Sequence, residues 1–217
     1  RAGKIARTQG SNDITQLGNP AETALDKAAN EIYVADGYGN RRVIVFDSST
    51  MAYKRHWGAY GHVPNDDKQA AYDPKAPVQQ QFGNPVHCVK IAADGLVYVC
   101  DRTQNRIQVL KKDGSFVKEW FYEKSTLGNG AVWDLVLWPD PKQTWLLNAD
   151  GENNEIRIIK REDGSVVGRF GGSGRNAGQF HWVHAMAIDK LGNVYTGEVD
   201  NAKRIQKFKL VNAEALR

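Results

Sequence analysis

The chain reads as an all-β protein, a β-propeller of four-stranded antiparallel blades, and three observations point there. A two-strand phrase recurs four times, as Asn30–Asp47, Gly95–Leu110, Gln143–Lys160 and Gly192–Leu210. Each copy carries an acidic residue at the same place, Asp36, Asp101, Asp150 and Glu198, at steps of 65, 49 and 48 residues. A second signal precedes each phrase: Leu17-Gly18-Asn19-Pro20, Phe82-Gly83-Asn84-Pro85, Leu127-Gly128-Asn129-Gly130 and Phe180-His181-Trp182-Val183. Self-similarity at a period of about 40–50 residues is the mark of a propeller, one sheet per repeat.

The elements of a repeat follow in order. A short apolar strand comes first: Thr23–Leu25, Cys88–Ile91, Leu135–Trp138 and Ala185–Ile188. A turn such as Asp94-Gly95 or Leu191-Gly192-Asn193 supplies the positive φ a tight hairpin needs. The recurrent phrase provides strands two and three. A further hairpin leads to fourth strands at Met51–Trp57, Phe116–Phe121 and Val166–Phe170. The last repeat stops after its third strand near Leu210, and Ala2–Thr8 is the candidate for the missing one. The first repeat carries a long polar insertion, Ala59–Gln81, with three of the seven prolines; loops of that length bind partners or move. Residues 1–217 are expected to form one propeller domain, about four blades of a ring of six or seven, with further blades upstream.

At 217 residues and 41% apolar the chain can bury a full core. Its mean hydropathy of −0.55 and 21 glycines suit short strands and turns, and no apolar run approaches the roughly 18 residues of a membrane span. The net charge of +4 is spread over the repeats, which argues against nucleic acid as the partner. Cys88 and Cys100 fall opposite each other in one hairpin, where two readings stand: a cross-strand disulfide or two small buried thiols.

The repeat also works as a ruler. Fourteen residues before Asp36, Asp101 and Glu198 lie Glu22, His87 and His184. In the third repeat a lengthened hairpin moves the equivalent position to Asp134. Innermost strands run along a propeller's axis, so these four side chains would ring its channel. Imidazole suits zinc, and carboxylates suit calcium. His87 and His184 are the first metal candidates, and Glu22 and Asp134 the weaker ones, with hydrogen bonding to nearby amides as their alternative role. His56, His62 and His181 have no such register. Tyr38 and Arg102 follow the acidic landmarks directly or nearly so. A tyrosine beside a cation can move a proton, and an arginine can grip a carboxylate; an aromatic cap and an interblade ion pair are the structural alternatives.

The units resemble NHL repeats. Ile32–Phe46, Phe82–His87, Val99–Gln108 and Phe180–Phe208 resemble the peptidylglycine α-hydroxyglycine lyase (peptidylamidoglycolate lyase) family. That resemblance implies a six-bladed propeller that splits a peptidyl α-hydroxyglycine into a peptide amide and glyoxylate. It implies a channel zinc on three histidines, a structural calcium, and a secreted or periplasmic protein. His87 and His184 fall on two of the zinc ligands, Tyr38 on the general base and Arg102 on an arginine near the substrate. The third zinc histidine belongs to a blade upstream of the Asp36 repeat. Trp182 stands where the family has methionine, and Gly39 where it has a cysteine, so the family's disulfides are not reproduced. Two functions follow as expectations. One is a zinc-assisted carbon–nitrogen lyase acting on a small-molecule or peptide substrate in the channel. The other is a non-catalytic platform that binds protein, glycan or nucleic acid, with 59–81 as the contact for a protein partner.

Overall fold

A computed structural model describes residues 7–211. They are almost entirely β, and no helix among them is long and apolar enough to cross a membrane. The chain divides into two compact units, up to Leu127 and from Gly128.

The first unit holds two four-stranded antiparallel sheets. One runs β1 (Glu22–Asp26), β2 (Glu31–Asp36), β3 (Arg42–Asp47), β4 (Tyr53–Trp57) in spatial order, the other β5 (Val86–Ile91), β6 (Val97–Asp101), β7 (Arg106–Leu110), β8 (Phe116–Phe121). The second unit holds β9 (Asp134–Leu137), β10 (Trp145–Asp150), β11 (Glu155–Lys160), β12 (Val166–Gly171), again four strands in sequence order. Its other sheet has three described strands, β13 (Val183–Ile188), β14 (Val194–Glu198) and β15 (Ile205–Phe208). These are the blades the repeats predict. Of the segment expected to complete the last blade, residues 2–6 lie outside the described residues, and Arg7 and Thr8 are in no strand. The 65-residue first step is explained by the insertion, which carries only a 3₁₀ turn at Ala59–Gly61.

Burial explains why the middle strands lack polar alternation. Every residue of β6 and β7 is buried, because one face packs on the neighbouring blade and the other is covered as well. Outer strands such as β8 begin exposed. In the first unit Tyr33, Val43, Val45 and Trp57 pack with Phe82, Val86, Val89 and Val99 into one core between the two sheets. In the second, Leu147, Ala149 and Ile156 meet Phe180, Val183 and Met186.

The acidic landmarks each carry an arginine partner. Arg42 binds Asp36 through Nε and Nη2, both at 2.9 Å, and neither side chain is exposed. Arg106 Nε binds Asp101 at 2.8 Å, Arg157 binds Asp150, and Arg204 Nε binds Glu198 at 2.8 Å. In two blades the acid also accepts the amide of the glycine from the preceding signal, Gly18 to Asp36 at 2.7 Å and Gly83 to Asp101 at 2.9 Å. His181 does the same for Glu198 at 2.8 Å. The arginines spend further N–H groups on carbonyls, Arg42 on Ser11, Asp13 and Gln16, Arg106 on Gln81, Arg204 on Arg175 and Gln179, and Arg106 also donates to the Tyr60 hydroxyl at 2.8 Å and to Glu119 at 3.3 Å. The two recurrent signals are therefore two halves of one contact.

Removing one partner leaves a buried charge without its counterion. Arg106→Met is expected to cost about 3–5 kcal/mol, read from urea unfolding. An unchanged midpoint would show that Asp101 finds another partner. The pH dependence has a definite sign. Burial pushes the Glu198 carboxyl up, but the Arg204 guanidinium, the His181 amide and Gln206 outweigh it and hold it below its ordinary value of 4.5. The stability this carboxylate contributes is present above that value and lost as the pH falls through the lower folded one. Thermal melts should show wild type losing stability on acidification below pH 4.5, and Glu198→Gln, with a lower melting point at neutral pH, losing less of it.

Candidate functional site

Three residues singled out in the sequence converge in the first unit. Asp36-Gly37-Tyr38-Gly39 is the turn that leaves β2. It is pressed so close to its neighbours that side chains are excluded at both glycines. A Cβ on Gly37 would stand 2.1 Å from the Val86 carbonyl oxygen, and one on Gly39 2.4 Å from that of Gly18. The Tyr38 amide donates to Asn19 O at 3.2 Å, and Asn84 Nδ2 donates to Tyr38 O at 2.9 Å. The pinned turn brings the Tyr38 hydroxyl within 2.9 Å of His87 Nε2, the rings meeting edge to face. Arg102 Nη1 donates to the same hydroxyl oxygen at 3.3 Å, and its guanidinium carbon lies 5.7 Å from the ring centre. His87 and Arg102 are buried, while Tyr38 is 41% exposed.

His87 owes its direction to a β-bulge. Val86 pairs with Asp101 and Cys88 with Cys100, so His87 is the extra residue. A bulge re-aims one side chain while the ladder continues on either side. Cys88 and Cys100 are joined by a disulfide, which resolves the two readings of that pair. It ties the strand just after His87 to the strand just before Arg102.

His184 lies in the second unit on a bulge of the same kind, with Val183 opposite Glu198 and Ala185 opposite Gly197. Its neighbours differ. The imidazole stands edge-on to Trp133, ring centres 5.5 Å apart. Trp182 is 6.2 Å from Trp133 and carries His181 stacked against it. Trp182 takes a left-handed backbone, φ 54°, and its amide is held by Asn154 Oδ1 at 2.7 Å.

Glu22 and Asp134 occupy a different register from the histidines. Glu22 pairs with Ala35 and Asp134 with Ala149, each one residue before the acidic landmark. The residues with that relation in the other two blades are Cys88 and Ala185. The fourteen-residue count thus misaligns the blades: Cys88 and Ala185 stand 13 residues before their landmarks, and a count of 14 lands on the bulge residue instead. Both acids reach across to the next blade of their own unit: Glu22 Oε2 accepts from Val89 N at 3.0 Å, and Asp134 Oδ2 from Met186 N at 2.6 Å. Glu22 also binds Lys90, and Asp134 Oδ1 accepts from Leu135 N at 2.7 Å. These carboxylates act as interblade clamps, the amide-bonding role weighed for them.

The remaining histidines have local roles. His56 bonds Tyr53 through Nδ1 and Asn12 through Nε2, and burial, with Arg42 nearby, pushes its pKa down. His62 is exposed beside Tyr60. Sequence reasoning missed Asn84 as the group that holds the Tyr38 carbonyl; its place in Phe82-Gly83-Asn84-Pro85 was the available signal.

No family model matches the chain. It is 24% identical to Xenopus laevis peptidyl-glycine alpha-amidating monooxygenase B over 212 residues, 95% of this chain and 22% of that protein. It is also 24% identical to the A form, over 95% of this chain and 20% of that protein. The chain thus spans about a fifth of the curated relatives it matches. Among solved structures it is similar to Kuenenia stuttgartiensis hydrazine synthase, with a TM-score of 0.58 at 11% identity over 96% of this chain and 49% of that one. It is similar as well to Staphylococcus aureus virginiamycin B lyase, with a TM-score of 0.56 at 13% identity over 91% of this chain and 58% of that one. The solved structures show the shared fold, and the amidating enzymes a distant sequence relationship.

Gly37→Ala tests how tightly the Tyr38 turn is held. The added methyl must displace Val86 or the turn, at about 1–3 kcal/mol for an overpacked site. Urea unfolding should show the loss, and imidazole NMR should show His87 moving with it. A variant as stable as wild type with an unmoved His87 signal would contradict the crowding.

Proposed function

We propose that this chain forms part of a zinc-assisted lyase that cleaves a peptidyl α-hydroxyglycine into a peptide amide and glyoxylate. The observation that carries the reading is the convergence of Tyr38, His87 and Arg102 within hydrogen-bonding reach. The distant relationship to the amidating monooxygenases supports it.

The donor chemistry fits zinc. His87 presents Nε2 beside a partly exposed tyrosine, and both His87 and His184 sit on bulge residues, outside the ladder. They are the imidazoles we assign to zinc ligation. When bound, zinc lowers the pKa of a coordinated hydroxyl or water. The chain's own groups do the rest. Arg102 holds the substrate carboxylate, for which a guanidinium's paired N–H groups are shaped. Tyr38 enters the step as the phenolate, its charge facing the Arg102 N–H directed at that oxygen, and takes the proton of the substrate hydroxyl. As the carbonyl forms, the C–N bond breaks and the leaving nitrogen gains a proton. Amide and glyoxylate together then account for every atom of the substrate.

Elemental analysis of the purified protein should find stoichiometric zinc; calcium, the structural ion of the resemblance, is read in the same measurement. Glyoxylate should be released from an α-hydroxyglycine peptide and suppressed by a chelator. Tyr38→Phe should lower kcat about 100-fold or more, the scale of general acid–base catalysis, and His184→Ala should lose zinc. Unchanged turnover in both variants would reject these roles.

A further inference from the structure

The long insertion in the first repeat has no part in the chemistry above, yet it helps build a cavity beside it. Asp66 accepts from the Ser11 amide at 2.8 Å and from the Ser11 hydroxyl at 2.5 Å. Arg41 completes the joint, its amide donating to Ser11 Oγ at 2.9 Å and its Nη1 to Asp67 O at 2.6 Å. Between this wall and the Tyr38 turn lies a pocket of about 370 Å³, lined by Gln9, Gly10, Gly39, Arg41, Asp66 and Asn84 among others. Its size is that of a ligand site. Two of its residues belong equally to the candidate site: Gly39 follows Tyr38 in the chain, and Asn84 donates to the Tyr38 carbonyl.

The geometry points to a subsite for the main chain of an extended peptide, which receives the residues preceding the α-hydroxyglycine. The assignment of that end rests on the lyase reading; the pocket's chemistry does not. Gln9 and Asn84 are exposed carboxamides: Gln9 offers donors and an acceptor, and Asn84 keeps one N–H and its oxygen beyond the bond to the Tyr38 carbonyl. That is the pairing a peptide bond requires, since it presents one N–H and one C=O. Arg41 and Asp66 set one positive charge against one negative on the described lining, and Arg41 Nη1 already donates to the Asp67 carbonyl, so these residues carry no surplus positive charge to favour a phosphate or a free acid. Among the described residues no aromatic ring lines it, so they offer no stacking surface for a nucleobase. Backbone recognition of this kind makes the enzyme tolerant of peptide sequence but sensitive to peptide length.

The test uses the full chain and an unreactive probe, N-acetyl-trialanine amide. Titration followed by NMR should give saturable shifts centred on Gly10, Gly39 and Asn84. Gln9→Ala and Asn84→Ser should each weaken binding about fivefold, the loss of one neutral hydrogen bond. No saturable binding, or equal affinity in wild type and both variants, would overturn the subsite. Turnover separates this inference from the lyase reading. N-acetyl-trialanyl-α-hydroxyglycine should be cleaved with a kcat/KM at least about fivefold above that of N-acetyl-α-hydroxyglycine, and Gln9→Ala should bring the ratio towards one. Probe binding at the pocket with neither substrate cleaved would reject the lyase and keep the subsite. Equal cleavage of both substrates without probe binding would do the reverse.

Discussion

At the turn between its second and third strands, each blade holds an arginine against an acid, and three of the four pairs are buried almost completely. Taking two such charges out of water is costly, and their mutual attraction compensates only when the remaining N–H groups and lone pairs are satisfied. Here they are met by loop carbonyls and by the amide of the residue that begins the blade. The pair can form only when the entering loop and the strand turn are both in place. Its effect is to fix the path of a loop that has little apolar surface to hold it. Blade three shows how far the arrangement bends. Arg157 still reaches Ala131 O and Asn148 Oδ1, but Asp150 is also capped from its own turn by Asn153.

The candidate site inherits its geometry from this joint. Asp36 is anchored by Arg42, Asn40 and the Gly18 amide, and Tyr38 stands two residues further along the same turn. Asp101 is anchored by Arg106 and the Gly83 amide, and Arg102 follows it directly. The tyrosine and the arginine are thus carried on the tips of two such joints in adjacent blades, with His87 on the strand that starts from the second. In the second unit the same scaffold presents an aromatic group of Trp133, Trp182 and His181 around His184. The framework is repeated, while the side chains on the turns are not.

Much of this was legible in the sequence because the repeat is read from apolar strands and turn glycines, which local physics fixes. Phe116–Phe121 is a strand with the bounds expected, and the strand ends elsewhere move by one or two residues. Tyr38 and Arg102 were singled out because each follows a landmark directly or nearly so, and His87 because it stands fourteen residues before one. Two features were hidden. The arginines stand six, five, seven and six residues after their acids, so no fixed spacing marks them, and the landmark looked like a register point instead of half of a pair. The bulges at 87 and 184 add a residue without any glycine or proline to announce it. A count along the chain therefore placed Glu22 and Asp134 beside the wrong partners, although their residue type did suggest the amide bonds they make.

A residue that the strand ladder does not need is one that evolution can exchange cheaply. At 87 and 184 the main chain is outside the pairing, and the ladder resumes on either side. The strand ladder is thereby interrupted for one residue at two defined addresses, one in each unit. For anyone redesigning this scaffold, those addresses are the first at which to try a thiol, a carboxylate or an unnatural ligand.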